Sequence, residues 1–182
     1  MSRALACAAV ALALLPAAAG AEPSWASHLL PDAASCAPEG VACAAARVAA
    51  TMAPAAGDVP APCYVAATLA DRLDLASYPN SAGPRVGAGG AVPADLYATT
   101  VLPLCAGVAF SDEGWDVAMT PVAVGDLDGD GGAEALVVVS DRARDGSYAT
   151  LDLLAVSLAP GPRVAARVVC GEGGDPAPAC GP

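Results

Sequence analysis

The hydrophobic positions of this chain change rhythm along its length. Ala4–Leu15 is an unbroken apolar run, preceded by one cation, Arg3, and closed by Pro16 and the small residues Ala17–Ala21. Farther on, Tyr64, Val65, Leu69, Leu73 and Ala76 recur at near-helical spacing, which predicts a helix over 63–76. Glu39–Met52 is rich in helix formers, with Pro38 suited to a first turn and Pro54 to a stop, and predicts an earlier helix. Beyond residue 95 the pattern shortens. Leu96–Leu104, Val117–Val124, Ala135–Ser140, Tyr148–Leu158 and Arg163–Cys170 read as strands, with Asp141–Ser147 as a turn. Residues 22–35 read as an irregular lead-in, and 54–62, 77–94 and the Gly171–Pro182 tail as Gly/Pro-rich loops.

This order predicts an α+β fold, a helical N-terminal half packed on an antiparallel sheet in the C-terminal half. The short connections predict a hairpin over 117–139, with 148–158 pairing beside 135–140. A single globular domain over 22–182 is expected, with 22–62 as lead-in and first helix and 63–182 as the α+β region.

The N-terminal run changes where the protein is expected to work. A cation, an apolar stretch and small residues before Glu22 form a secretory signal pattern over 1–21, cut after Ala21. The run is about a dozen residues long, against roughly 20 for a membrane span, and no later segment is long enough either. A secreted or periplasmic location is expected.

Removing 21 of the 182 residues leaves 161, with six cysteines at 36, 43, 63, 105, 170 and 180. An even count in an exported chain predicts disulfide stabilisation. Zinc is the rival, but there is no Cys-x-x-Cys and His28 is the one histidine. Local proximity predicts Cys36–Cys43, Cys63–Cys105 and Cys170–Cys180.

The mature chain carries 7 arginines and 19 acids, a net charge of −12. Such a surface repels nucleic acid and anionic membranes and attracts cations. Lys, Ile and Gln are absent and Ala, Gly and Pro abound, a signature of coding bias. With one Phe, the core must be built from Ala, Val and Leu, which bury less area per residue.

One stretch carries recognisable chemistry. In Gly125-Asp126-Leu127-Asp128-Gly129-Asp130-Gly131-Gly132-Ala133-Glu134, carboxylates stand at positions 1, 3, 5 and 9 counted from Asp126. A hard cation such as Ca²⁺ takes six to eight oxygens at roughly 2.3–2.6 Å. Alternating acids on a wound loop can converge on one, glycines 129, 131 and 132 permit the winding, and the Gly132 carbonyl can supply a further oxygen. The expected metal residues are Asp126, Asp128, Asp130, Gly132 and Glu134, and the expected ion is Ca²⁺. Three alternatives stay open. An EF-hand wants Glu at position 12, where Val137 stands, and helical flanks. Mg²⁺ keeps more water. A plain acidic turn would have to tolerate four carboxylates with no cationic residue between Arg85 and Arg142.

At Asp126, Asp128, Asp130, Gly131 and Glu134 the chain resembles the FG-GAP/VCBS family, whose repeats carry Asp-x-Asp-x-Asp-Gly-x-x-Asp between two strands. Glu134 replaces the last Asp, and one copy is present where the family's propellers use several. The resemblance covers about 20 residues at this hairpin. It implies calcium binding with a structural role, in a small exported protein that embeds a single such hairpin.

Elsewhere, Ser111–Asp116 reads as a solvated turn with Trp115 folded onto the sheet, and Asp71 with Asp74 as a solvated helix face beside Arg72. There is no Gly-x-Ser-x-Gly elbow, phosphate loop or dinucleotide fingerprint, and His28 stands in the lead-in. The expectation is a calcium-binding structural or binding module with an unidentified protein or glycan partner, and not an enzyme. The alternative is a small secreted enzyme or enzyme inhibitor with its site in loops 77–94 and 141–147.

Overall fold

A computed structural model describes residues 30–33, 40–81, 90–172 and 180. The signal pattern, His28, Cys36, and residues 82–89 and 173–179 lie outside these.

Six strands form one antiparallel sheet in the order of the chain: β1 (Ala98–Val101), β2 (Val108–Ser111), β3 (Trp115–Gly125), β4 (Glu134–Ala143), β5 (Ala149–Ser157) and β6 (Ala166–Glu172). The expected hairpin is β3–β4, with Gly125 opposite Glu134 and Met119 opposite Val139. The next pair is β4–β5, with Val137 opposite Leu154. Short connections between neighbouring apolar runs produce this meander directly.

Two principal helices lie against the sheet, α1 (Val41–Ala49) and α2 (Pro62–Asp71). They serve opposite faces. Val65 and Leu69 of α2 pack with Phe110, Met119, Val137 and Leu154; Val41, Ala45 and Ala49 of α1 pack with Val122, Leu136, Leu153 and Cys170. Neighbouring side chains on a strand point to opposite faces, so the part of β4 covered on both sides, residues 135–139, is apolar at every position. Ala135, Leu136 and Val137 are all fully buried. The sheet dominates, and the helices are layers on either side of it.

A register shift between Pro121 and Ala123 interrupts β3. Proline has no N–H to give the ladder, and the irregularity changes which face the following residues meet. Val122 and Ala123 join the α1 side and Val124 the α2 side.

Several boundaries differ from the expected ones. Leu96–Leu104 is not one strand. Pro93 starts a short helix, α3 (Pro93–Leu96), and Pro103 starts a 3-10 turn to Cys105, leaving β1 with four residues. β2 went unforeseen because only four residues separate Gly107 from Asp112. The turn expected at Asp141–Ser147 begins later, since β4 continues through Ala143. Asp141 is 2% exposed within that strand, and its Oδ2 accepts the Ser81 N–H at 2.8 Å. The helix expected over 63–76 stops at Asp71, and Leu73 bridges to Val164 instead. The last strand begins at Ala166 rather than Arg163.

Two expected disulfides are present, Cys63–Cys105 and Cys170–Cys180. The first ties α2 to the β1–β2 connection, and the second holds residue 180 against β6. Cys43 is disulfide-bonded; its expected partner, Cys36, lies outside the described residues.

Candidate metal centre

The loop between β3 and β4 begins at Asp126, the residue after the strand, and ends at Glu134, the first residue of the return strand. Its winding follows from glycine. Gly129 and Gly131 have φ of 83° and 86°, where a Cβ would be strained.

Asp126 organises the loop from inside. It is 8% exposed, and its two carboxylate oxygens accept backbone N–H groups from Gly129 at 2.7 Å and Gly131 at 2.9 Å. Farther out, Asp128 Oδ1 accepts the Asp130 N–H at 3.2 Å and Asp130 Oδ1 accepts the Gly132 N–H at 2.6 Å. These bonds turn the three carboxylates toward one point. Asp126, Asp128 and Asp130 each bring one oxygen within 4.8 Å of the others. A carboxylate has about four lone-pair sites, so an oxygen that accepts an N–H can still ligate a cation.

Glu134 stands apart from this trio. Its Oε2 accepts the Leu127 N–H at 2.9 Å, closing the base of the loop. Burial raises the Glu134 carboxyl above its ordinary range; the Leu127 bond opposes the shift, and the charges of Asp128, Asp130 and Asp126 add to it. Gly132 provides its N–H to Asp130, and its α-carbon passes so close that an added Cβ would lie 2.8 Å from Asp130 Oδ1. The arrangement can hold a metal ion through Asp126, Asp128 and Asp130. The EF-hand alternative is excluded, because both flanks of the loop are strands.

A contribution absent from the sequence reading comes from the segment after α1. Ala53 and Asp126 form an isolated bridge, Ala53 N–H to Asp126 O at 3.0 Å and Asp126 N–H to Ala53 O at 2.8 Å. Ala56 N–H donates to Gly131 O at 3.0 Å. The loop is thereby stitched to the segment behind α1 at Asp126 and at Gly131. Gly125 allows this approach: a Cβ there would sit 2.7 Å from Ala53 O. The one hint in the sequence is the glycine that ends the apolar strand at Gly125.

Asp112, Trp115 and Asp74 make local contacts. Asp112 Oδ1 accepts the N–H groups of Gly114 and Trp115 in the β2–β3 turn, and Trp115 packs edge-on against Tyr148 with ring centroids 5.2 Å apart. Asp74 Oδ1 accepts the Ala76 N–H at the exit from α2. A shallow trough of about 320 Å³ crosses β1–β4, with Ser111, Asp116, Ser140 and Arg142 in its lining. Hydrogen bonding to Arg144 holds the Asp116 carboxyl below its ordinary range, which suits an ion pair rather than a proton acceptor.

Comparisons of the chain with protein-family models, curated proteins and solved structures returned no match.

Proposed function

We propose that this protein is an exported module in which loop 126–134 binds Ca²⁺ as a structural element. The observation that carries the reading is the convergence of one oxygen each from Asp126, Asp128 and Asp130 within 4.8 Å, on a glycine-wound loop between two strands. Three carboxylates at such separations repel one another without a counter-ion, and a hard divalent cation is the natural complement to an all-oxygen donor set. Glu134 and the Gly132 carbonyl complete the proposed ligand set, with Glu134 exchanging its Leu127 bond for the ion or sharing it. Water supplies the remaining positions.

The role is structural in this reading. The loop's carboxylates are committed as ligands or to backbone N–H groups, which leaves none to act as an acid or base. The bridge from Asp126 to Ala53 lets an ion reinforce the attachment of the post-α1 segment as well as the hairpin. Two disulfides accord with export to an oxidising compartment, and no helix among the described residues is long and apolar enough to cross a membrane. The module would serve a protein or glycan partner rather than catalyse a reaction.

Native mass spectrometry of the oxidised, mature protein tests the proposal. Equilibration with Ca²⁺ should add one calcium to the mass, and Asp126→Asn with Asp128→Asn should abolish the adduct. Adducts of equal occupancy in wild type and double variant would contradict a site at this loop. A preference for Mg²⁺ under competition would contradict the assignment of the ion.

A further inference from the structure

The two edges of the sheet are treated differently. β6 carries Arg167 and Glu172, and Cys170 ties residue 180 against it. Charge and covering chain are the usual protection of an edge strand. β1 has neither. Its sequence is Ala98-Thr99-Thr100-Val101, it pairs only with β2 among the described residues, and no charged residue occurs between Asp95 and Asp112. In a chain of net charge −11, this is a long neutral stretch, and it falls on the edge that neither charge nor covering chain protects among the described residues.

The backbone of β1 shows which groups face outward. Leu102 N–H donates to Gly107 O, so residue 102 faces β2. By the alternation of an antiparallel ladder, Thr100 and Ala98 face β2 as well. The N–H and C=O of Thr99 and Val101 therefore point away from the sheet. A twofold axis through Thr100 would bring Thr99 of one copy opposite Val101 of another and pair all of these groups.

Exposed apolar side chains gather beside this edge. Leu104 is 97% exposed and Val101 46%. Leu104 and Cys105 both have positive φ, 57° and 55°. Left-handed backbone at a bulky non-glycine residue costs on the order of 1–2 kcal/mol, and such strain tends to persist at functional positions. Here it turns Leu104 outward, where an isolated molecule gains nothing from burying it.

We infer that the β1 edge, with Leu104 beside it, is a twofold self-association surface whose occupant is a second copy of this chain. Charge favours this occupant. A basic partner would be matched by carboxylates, which this edge lacks. Identical copies meeting near a twofold axis place each residue close to its own counterpart, so their shared surface must be neutral in a protein this acidic. The strand is four residues long, so the association is weak and concentration-dependent.

Sedimentation equilibrium of the oxidised, mature protein tests this, over about 1 µM to 1 mM to span weak association. The expected result is a weight-average mass rising from monomer toward dimer. Thr100→Lys places two ammonium groups at the axis and should weaken dimerisation about tenfold or more. Leu104→Ser should weaken it too. Thr51→Lys, with the same charge change at the exposed end of α1, should not. Unchanged thermal unfolding of each variant at about 1 µM, where monomer prevails, establishes that it folds; Val101→Lys stands in for Thr100→Lys if needed. A monomer at every concentration overturns the inference, as does a dimer indifferent to Thr100→Lys. The same measurement with chelator keeps the result distinct from calcium binding, since β1 takes no part in the metal loop.

Discussion

Two aspartates of the same loop are expected to respond in opposite ways to removal when calcium is absent. Asp126 is buried and accepts two backbone N–H groups, at 2.7 and 2.9 Å. Asp128 is exposed and accepts one short-range bond at 3.2 Å. Hydrogen bonds to a charged acceptor contribute about 1.5–3 kcal/mol each. Taking the low end for a loop near the surface, and allowing for relief of repulsion from the neighbouring acids, Asp126→Ala should cost about 2 kcal/mol in chelator. For a domain of this size that lowers Tm by about 4–8 °C. Asp128→Ala removes one of the mutually repelling carboxylates and little else, so its Tm in chelator should equal or slightly exceed the wild type's. Both variants should lose the response to calcium. Differential scanning calorimetry of the three oxidised proteins, in chelator and in calcium, reads all of this. If Asp128→Ala loses as much stability in chelator as Asp126→Ala, the division between an organising carboxylate and a ligand carboxylate is wrong.

Other regions make separate predictions. Gly125→Ala should destabilise by about 1–3 kcal/mol in urea unfolding, because the new methyl would sit 2.7 Å from Ala53 O; Gly129→Ala, with open space around it, should cost only about 1 kcal/mol of backbone strain. Replacing Cys63 and Cys105 together with serine should cost about 4 kcal/mol by loop-closure entropy, against about 3 kcal/mol for Cys170 and Cys180, whose loop is shorter, as measured by guanidinium unfolding. Burial raises the Asp152 carboxyl above its ordinary range, opposed by Thr150 and reinforced by Asp141. The folded protein therefore holds that proton more tightly than the unfolded chain, and ionisation of Asp152 lowers stability as pH rises through its folded-state pKa. Asp152→Asn should stabilise at neutral pH, with the gain vanishing below the unfolded value of about 3.9, as read from Tm against pH.

The β3–β4 hairpin and its acidic loop were legible because their signals are local. Acids at alternating positions, glycines where φ turns positive, and valines on both sides specify a strand, a wound loop and a strand without reference to the rest of the chain. The α+β composition, the 117–139 hairpin and the pairing of 148–158 beside 135–140 were legible for the same reason. Features set by tertiary contact were not. Nothing in Ala53 announces that it bridges to Asp126, and Asp141 reads as a turn residue until the Ser81 N–H appears beside it. β2 is too short for its alternation to stand out. The apolar character of Ala135–Val139 showed a buried strand, but only packing reveals that α1 covers one of its faces and α2 the other.

Thermal unfolding of the oxidised wild type during a calcium titration decides whether loop 126–134 is a structural calcium site. Extracellular modules bind at about 10⁻⁴–10⁻³ M, and free calcium at about 20-fold above the dissociation constant adds about 2 kcal/mol. The expected result is a saturable rise in Tm of about 4–8 °C that chelator reverses and Asp128→Ala abolishes. Coincident unfolding curves in calcium and in chelator would show that Asp126–Glu134 is an acidic turn and contradict the account.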